Sequence, residues 1–323
     1  MYEITRRDLI VSSAAAAAVL GVPKQMAFLG ATSAEARAAM EQGFYKFKVG
    51  DIEMTAIYDG AWNRDHDPGF IKNATVEDTK AALKAGGLPE DKVTVPYTVM
   101  AAKVGGKVVL FDAGTGAQLA PTAGLLKTKH LAAAGIAPDD VSVVIITHFH
   151  PDHIFGLMEK ETNAPVFTKA EIIVPEVEYK YWTDPATLAS LPEARKGLAK
   201  RIQATFPNWK NITRVDGEKE VLPGIRALPA FGHTPGHTGF HISSGSDQLY
   251  LLGDITNIPA LFLKNPGWHA AFDMDGPLAE ANRRKLIGRV VAEKATMAGY
   301  HYPFPAVGKV EADGSGFAFS PVG

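Results

Sequence analysis

Thr147-His148-Phe149-His150-Pro151-Asp152-His153-Ile154 decides how this chain is read. The octapeptide follows residues 141–146, an apolar run rich in β-branched side chains that predicts a buried strand. Four metal-ligating side chains therefore arrive where a strand ends and the backbone turns. Side chains at i and i+2 of an extended segment project to one side, so His148 and His150 can chelate one ion. Asp152 and His153 lie beyond Pro151, where the chain has turned, and can reach a second ion nearby. Three of the chain's ten histidines fall within six positions with a carboxylate between them, a density that scattered surface or core histidines do not show.

Composition narrows the chemistry further. With 46% hydrophobic and 21% charged residues over 323 positions, the chain has the balance of a globular protein with a sizeable core. A net charge of −2 and the lack of a Lys/Arg tract with interleaved aromatics argue against nucleic acid as a partner. There is no cysteine, which excludes disulfides and thiolate metal sites. Any metal site must be built from His, Asp and Glu, a donor set that suits zinc, manganese, iron or cobalt.

The first residues read as a targeting segment. Arg6-Arg7 is followed by the alanine-rich apolar run 9–22 and then by Ala34-Glu35-Ala36, a small-x-small cleavage site that competes with Thr32-Ser33-Ala34. The run is shorter than the roughly 20 residues of a spanning helix. The order resembles a Tat signal over 1–36, and it implies export to the periplasm of a protein already loaded with its metals, with no membrane association after cleavage.

From residue 44 onward strands and helices alternate. Residues 45–58 read as two strands around Val49-Gly50-Asp51, and 98–104 with 107–111 as a hairpin across Gly105-Gly106. Segments 166–174, 224–231, 239–243 and 248–252 read as further strands. Helices are expected over 76–85, around 122–134, through most of 176–206, and over 278–295 with Pro277 in first position and Asp275 as cap. No linker splits the chain. Residues 44–323 read as one domain, two sheets packed together with helices outside.

A two-metal site needs more ligands than one loop holds, and later strands end on them. Gly232-His233-Thr234-Pro235-Gly236-His237 makes a tight turn that presents His233 at a sheet edge. Asp254 closes the apolar strand of Leu252-Gly253-Asp254, where a carboxylate is costly unless paired or metal-bound. His301 ends a short apolar segment in Gly299-Tyr300-His301-Tyr302-Pro303. His237 and His241 read as supporting or structural, and His66, His130 and His269 receive no role.

This order of motifs resembles the metallo-β-lactamase superfamily from about residue 44 to the C-terminus. The resemblance implies an α/β fold, the αβ/βα four-layer sandwich of two mixed β-sheets flanked by helices. It implies that His148, His150 and His233 hold a first metal, that Asp152, His153 and His301 hold a second, and that Asp254 bridges them. Asp112, in Leu110-Phe111-Asp112-Ala113-Gly114, matches the family's early aspartate and is expected to orient the ligand loop by hydrogen bonds, with His237 in a similar supporting place. The cofactors implied are two divalent ions, Zn2+ first, with Mn2+, Co2+ or Fe2+ as alternatives. Such a pair, roughly 3.5–4 Å apart, lowers the pKa of a shared water from 15.7 toward about 7. A hydroxide bridging the metals then attacks an ester, lactone or phosphotriester, with Asp152 and Asp254 as the catalytic carboxylates.

Fold does not choose the substrate. Residues 50–56, Asp59-Gly60, 146–153, 232–238, 251–254 and 301–305 resemble the methyl parathion hydrolase group, whereas 255–269 departs from it. The N-acyl-homoserine lactone lactonases are the alternative. A β-lactamase or a non-catalytic metal-binding protein is disfavoured, because the bridging aspartate is present and the ligand set is complete. Phe149, Phe155, Trp182, Phe262 and Trp268 are the expected pocket aromatics. A homodimer is the assembly implied by the resemblance.

Overall fold

The computed structural model describes residues 34–322. The arginine pair, the apolar run and thus most of the expected signal lie outside the described residues; the Ala34-Glu35-Ala36 site falls on the first turn of helix α1 (Ala34–Gln42). No helix among the described residues is long and apolar enough to cross a membrane.

Two seven-stranded sheets form the body. The first runs in chain order through β1 (Phe44–Val49), β2 (Ile52–Asp65), β3 (Lys92–Val104), β4 (Lys107–Phe111), β5 (Val141–Ile145), β6 (Glu171–Pro175) and β7 (Ile212–Val215). The second comprises β8 (Glu220–Leu222), β9 (Ile225–Pro229), β10 (Thr238–Ser244), β11 (Asp247–Leu251), β12 (Thr296–Ala298), β13 (Val307–Asp313) and β14 (Gly316–Pro321). Each sheet is mixed: β4 to β7 and the pair β11–β12 are parallel, the rest antiparallel. Helices α2 (Val76–Ala85), α3 (Pro151–Ile154), α4 (Glu176–Thr183), α5 (Pro185–Ser190), α6 (Glu193–Thr205), α7 (Pro259–Phe262) and α8 (Gly276–Ala292) lie between and beside the strands, with a further helical segment over 126–133. This is the expected metallo-β-lactamase sandwich.

Strand alternation explains the layers. Val143 and Ile145 of β5 pack between the sheets with Ile225, Phe240 and Ile242 of the second sheet. Val144, on the opposite face, joins Ile172, Trp182, Ala199 and Ile202 under the helices. A strand buried on both faces reads as a continuous apolar run, as 141–146 does. Leu286, Ile287 and Val290 of α8 pack against the second sheet's part of the inter-sheet core. Asp275 caps α8 by accepting a hydrogen bond from the Leu278 amide, with Pro277 in the first turn, as expected.

The strand expected over 224–231 is trimmed to Ile225–Pro229, and two other expected elements are cut further. The strand expected over 166–174 is confined to Glu171–Pro175, because the chain turns at 167–170, where the Ala170 amide donates to Phe167 O. The helix expected around 122–134 begins only at Leu126; Thr122 and Ala123 instead pair with the edge of β2.

That edge carries a feature the sequence reading missed. A register shift between Tyr58 and Gly60 in β2 turns Asp59 into the interior. Its carboxylate accepts from the Thr115 amide and hydroxyl and from the Leu126 amide, tying down the segment between them. Burial pushes the Asp59 carboxyl up to about 6 from 3.8, against the opposing pull of those hydrogen bonds. A raised acid pKa binds the proton more tightly in the folded state. The stabilisation is therefore complete below the unfolded pKa near 4 and is lost as pH rises through about 6. Relative to Asp59→Asn, the unsubstituted protein should gain about 1 kcal/mol on going from pH 7 to pH 5. Urea unfolding of both proteins at the two pH values checks this; a pH-independent gap would contradict it.

Candidate metal centre

The carboxyl ends of strands from both sheets meet at one edge of the sandwich. His148 and His150 follow β5, and Asp152 and His153 sit on α3, whose first residue is Pro151. His233 lies on the turn between β9 and β10, Asp254 follows β11, and His301 follows β12. Since β11 and β12 are parallel, their ends fall on the same side.

All seven side chains predicted as ligands converge in two groups. His148, His150, His233 and Asp254 form one; Asp152, His153, Asp254 and His301 form the other; within each group one donor atom per residue lies within 4.8 Å of the rest. Asp254 is common to both. His301 Nε2 lies 2.8 Å and His233 Nε2 3.4 Å from Asp254 Oδ2, and His153 Nε2 lies 3.3 Å from Asp254 Oδ1. Asp152 Oδ2 is 3.4 Å from both His153 Nε2 and His301 Nε2. His150 Nδ1 approaches His233 Nε2 to 2.9 Å.

The far nitrogens of the rings are committed elsewhere, which fixes which lone pair faces inward. His153 Nδ1 pairs with Asp112 Oδ2 at 2.8 Å, His233 Nδ1 with Asp273 Oδ1 at 2.9 Å, and His301 Nδ1 with the Pro96 carbonyl at 2.8 Å. A ring nitrogen that donates outward leaves Nε2 as an acceptor toward the centre. Burial, reinforced by neighbouring imidazoles, holds His148 and His150 well below the ordinary histidine range, so both are neutral. Buried Asp254 is also held well below its usual value: desolvation alone would raise it, but His301 and His153 outweigh that.

These residues fit divalent metal ions. His148 Nε2, His153 Nε2 and Asp254 Oδ1 are buried without a hydrogen-bond partner, a costly state for a polar atom unless a cation accepts its lone pair. The donors are imidazole nitrogens and carboxylate oxygens, a set that binds zinc and its first-row neighbours.

The two supporting residues expected from sequence occupy supporting places. Asp112, in left-handed backbone at φ 65°, accepts from the Thr147 amide and hydroxyl as well as from His153. His237 Nδ1 pairs with the Ala230 carbonyl, and its Nε2 accepts from the Asp254 amide at 3.0 Å. Burial lowers the His237 pKa to about 3, which keeps that acceptor unprotonated. Gly253, at φ 54°, has no room for a side chain, since a Cβ there would meet His237 Nε2 at 2.8 Å.

Two further carboxylates escaped sequence reading. Asp273 holds His233 and is itself held by the Ala270 amide and Arg283. Glu178 of α4, fully buried, accepts from the Phe149 amide and Trp182 Nε1 at one oxygen, and from Thr234 Oγ1 and the Gly236 amide at the other. It thereby joins the 148–153 loop to the His233 turn. Asp273→Asn should lower affinity for one metal equivalent by roughly 10–100-fold, because either amide orientation sets Nδ2 against a donor, His233 Nδ1 on one side or the Ala270 amide and Arg283 on the other, and so loosens the hold on the His233 ring. Chelator competition measures this; unchanged affinity for both equivalents would refute it.

A cavity of about 560 Å³ opens over the centre, with His150, Asp152, His233, Asp254 and His301 in its floor. Its wall is mainly apolar: Trp62, Phe70, Val95, Tyr97, Leu119, Trp182, Leu198 and Phe272, with Arg195 and Asn257 as polar members. Of the five aromatics expected there, only Trp182 lines it. Phe149 is wholly buried against Phe206, because the alternation that turns His148 and His150 toward the metals turns the residue between them away. Phe155 lies under the Arg201 guanidinium. Phe262 packs behind Phe70, and Trp268 packs against the helix-side core.

Comparison with known proteins adds to this geometry. The chain is 32% identical to the N-acyl homoserine lactonase of Bacillus thuringiensis over 153 residues, 47% of this chain and 53% of that protein. It is 30% identical to the N-acyl homoserine lactonase AiiB of Agrobacterium fabrum over 128 residues, 38% of this chain and 43% of that protein. It thus spans about half the length of the curated relatives it matches. Among solved structures, AidC, a dizinc quorum-quenching lactonase in complex with a product, superposes with a TM-score of 0.78 at 26% identity, covering 87% of this chain and 98% of that one. A family model described as Metallo-beta-lactamase superfamily matches residues 93–301. That span runs from the start of β3 to His301 and contains every side chain of the two ligand groups. The chain belongs to the metallo-beta-lactamase superfamily.

Proposed function

We propose that this chain is a dinuclear, zinc-dependent hydrolase of lactones that carry an apolar acyl arm. The observation that carries the proposal is the placement of two ligand groups sharing Asp254 at the floor of an apolar cavity of about 560 Å³. His148, His150 and His233 would hold one ion and Asp152, His153 and His301 the other, with Asp254 common to both sets. The likeness to proteins named as N-acyl homoserine lactonases supports the substrate class.

A bound divalent pair supplies a water activated toward a pKa of about 7 and a Lewis acid for the carbonyl. The chain's own side chains do the rest. Trp62, Phe70, Leu198 and Phe272 exclude water and hold the acyl arm, leaving the ring at the floor. Asp254, common to both ligand groups, fixes them in one register. Asp152 is 17% exposed and belongs to the cavity floor. As the new C–O bond forms and the ring C–O bond breaks, its carboxylate carries the proton from the attacking water to the leaving ring oxygen.

The second reading is a phosphotriesterase of the methyl parathion hydrolase group. It rests on the motif stretches resembling that group, and the same floor would serve it. Initial rates on an N-acyl-homoserine lactone, methyl paraoxon and a p-nitrophenyl ester, before and after chelation and zinc return, separate the two. The lactone is expected to dominate and its turnover to return with zinc. A dominant phosphotriester rate would move the protein to the second reading. We further propose export by the twin-arginine route and assembly as a homodimer, tested by N-terminal sequencing of the periplasmic protein and by light scattering.

A further inference from the structure

Arg283 of α8 is 1% exposed, and its guanidinium directs every hydrogen bond it makes to one stretch of chain, residues 255–273. Nε donates to the Ile255 carbonyl at 2.6 Å, Nη1 to the Pro266 and Trp268 carbonyls at 2.8 and 2.7 Å, and Nη2 to Asp273 Oδ2 at 3.3 Å. Phe262, in the same stretch, has its ring centroid 5.6 Å from the guanidinium carbon. Burying a charge is costly unless it is paired and hydrogen-bonded, and here one carboxylate and three carbonyls meet that cost. Apart from α7 and a bridge at Ala270, residues 255–273 form no helix or strand that would hold their shape. The buried guanidinium supplies the fixed points instead.

Those points adjoin both the ligands and the cavity wall. Ile255 follows Asp254, the residue common to the two ligand groups, and Asp273 holds His233 Nδ1. Phe272, beside Asp273, lines the cavity. Phe70 lines it too, fastened to the same stretch by the Ala271 amide on its carbonyl and by the pairing of Ile71 with Ala270. Arg283 itself belongs to neither ligand group and does not line the cavity. We infer that Arg283 is a positioning residue that braces, from one buried guanidinium, the Asp254 and His233 ligands together with the Phe70–Phe272 wall. Metal affinity and substrate fit then share an anchor and fail together. The inference holds for a lactone and a phosphotriester alike, since both would use the same floor and wall.

Arg283→Lys keeps the charge but exchanges a planar fork for a point charge whose three donors cannot serve four acceptors. In the zinc-loaded full chain it should raise KM several-fold and weaken the metal equivalent served by His233 roughly tenfold, the other less. Chelator competition reads the metal effect without reference to turnover. In a His233→Ala background, adding Arg283→Lys should change metal affinity little further, because the bracing already has no ring to act on. Arg283→Ala should recover both KM and metal affinity with guanidinium chloride at non-denaturing concentration, and not with potassium chloride. Guanidinium can also be supplied during refolding, which covers a lysine variant that does not fold. Lower stability with KM and both metal affinities unchanged would make Arg283 structural only and overturn the inference. Equal weakening of both equivalents, or rescue by either salt alike, would overturn it as well. If the unsubstituted enzyme turns over neither substrate class, the proposed function falls, while the chelator measurement still decides the role of Arg283.

Discussion

Asp254→Ala should lower kcat/KM by about a thousandfold or more and leave the protein with about one tightly bound metal equivalent in place of two. No other residue belongs to both ligand groups. Its two oxygens face different sets: Oδ2 meets His233 and His301, and Oδ1 meets His153. Removing it takes one negative charge from both groups and leaves His301 Nε2 without its nearest partner at 2.8 Å. Metal content by mass spectrometry, read beside kinetics, is the measurement. A variant with full turnover and two bound metals would sink the assignment of Asp254.

Glu178→Gln should be the most damaging conservative substitution for stability, at about 3 kcal/mol or more, although Glu178 lies outside both ligand groups. Each carboxylate oxygen accepts two hydrogen bonds, from Phe149 and Trp182 at Oε1 and from Thr234 and Gly236 at Oε2. A carboxamide must turn its NH2 toward one of those pairs, setting donor against donor in a fully buried place. Burial raises the Glu178 pKa, while the four donors pull against that rise. Because the donors come from the His148–His153 loop, the His233 turn and Trp182 of the cavity wall, metal affinity should weaken along with stability. Denaturant unfolding at constant free zinc gives the first quantity and chelator titration the second. A loss under about 1 kcal/mol would show that the four bonds can be remade by the amide.

These two residues differ in how visible they are from sequence. Asp254 announces itself because it closes an apolar strand, where an acid is unusual. The 147–154 stretch is plainer still, since its ligands are neighbours in the chain and strand alternation dictates which of them share a side. Glu178 is one glutamate on an amphipathic helix; apart from Trp182, four residues on, its partners lie 29, 56 and 58 residues away, at distances no local pattern encodes. Asp273 meets His233 across 40 residues, and Asp59 is aimed inward by a bulge that depends on the pairing of β2 with β3. The pocket aromatics failed for a related reason. Being aromatic and near the ligands in sequence says nothing of direction, and for Phe149 the period-two rule already pointed away from the metals. Trp62, Phe70 and Phe272 reach the cavity only because β2, the 66–75 loop and the segment before α8 fold over the centre.

The division of ligands between the sheets has a mechanical consequence. His148, His150, Asp152 and His153 come from the half of the chain that ends with β7; His233, Asp254 and His301 come from the half that begins with β8. Each ligand group draws on both halves, so either ion would act as a cross-link between them. Separating the halves then requires releasing the ions, and at free metal a thousand times Kd that linkage adds about 4 kcal/mol against opening. Metal loading and the cohesion of the sandwich become a single equilibrium, and a chain deprived of its metal ions would be looser throughout as well as without its metal centre.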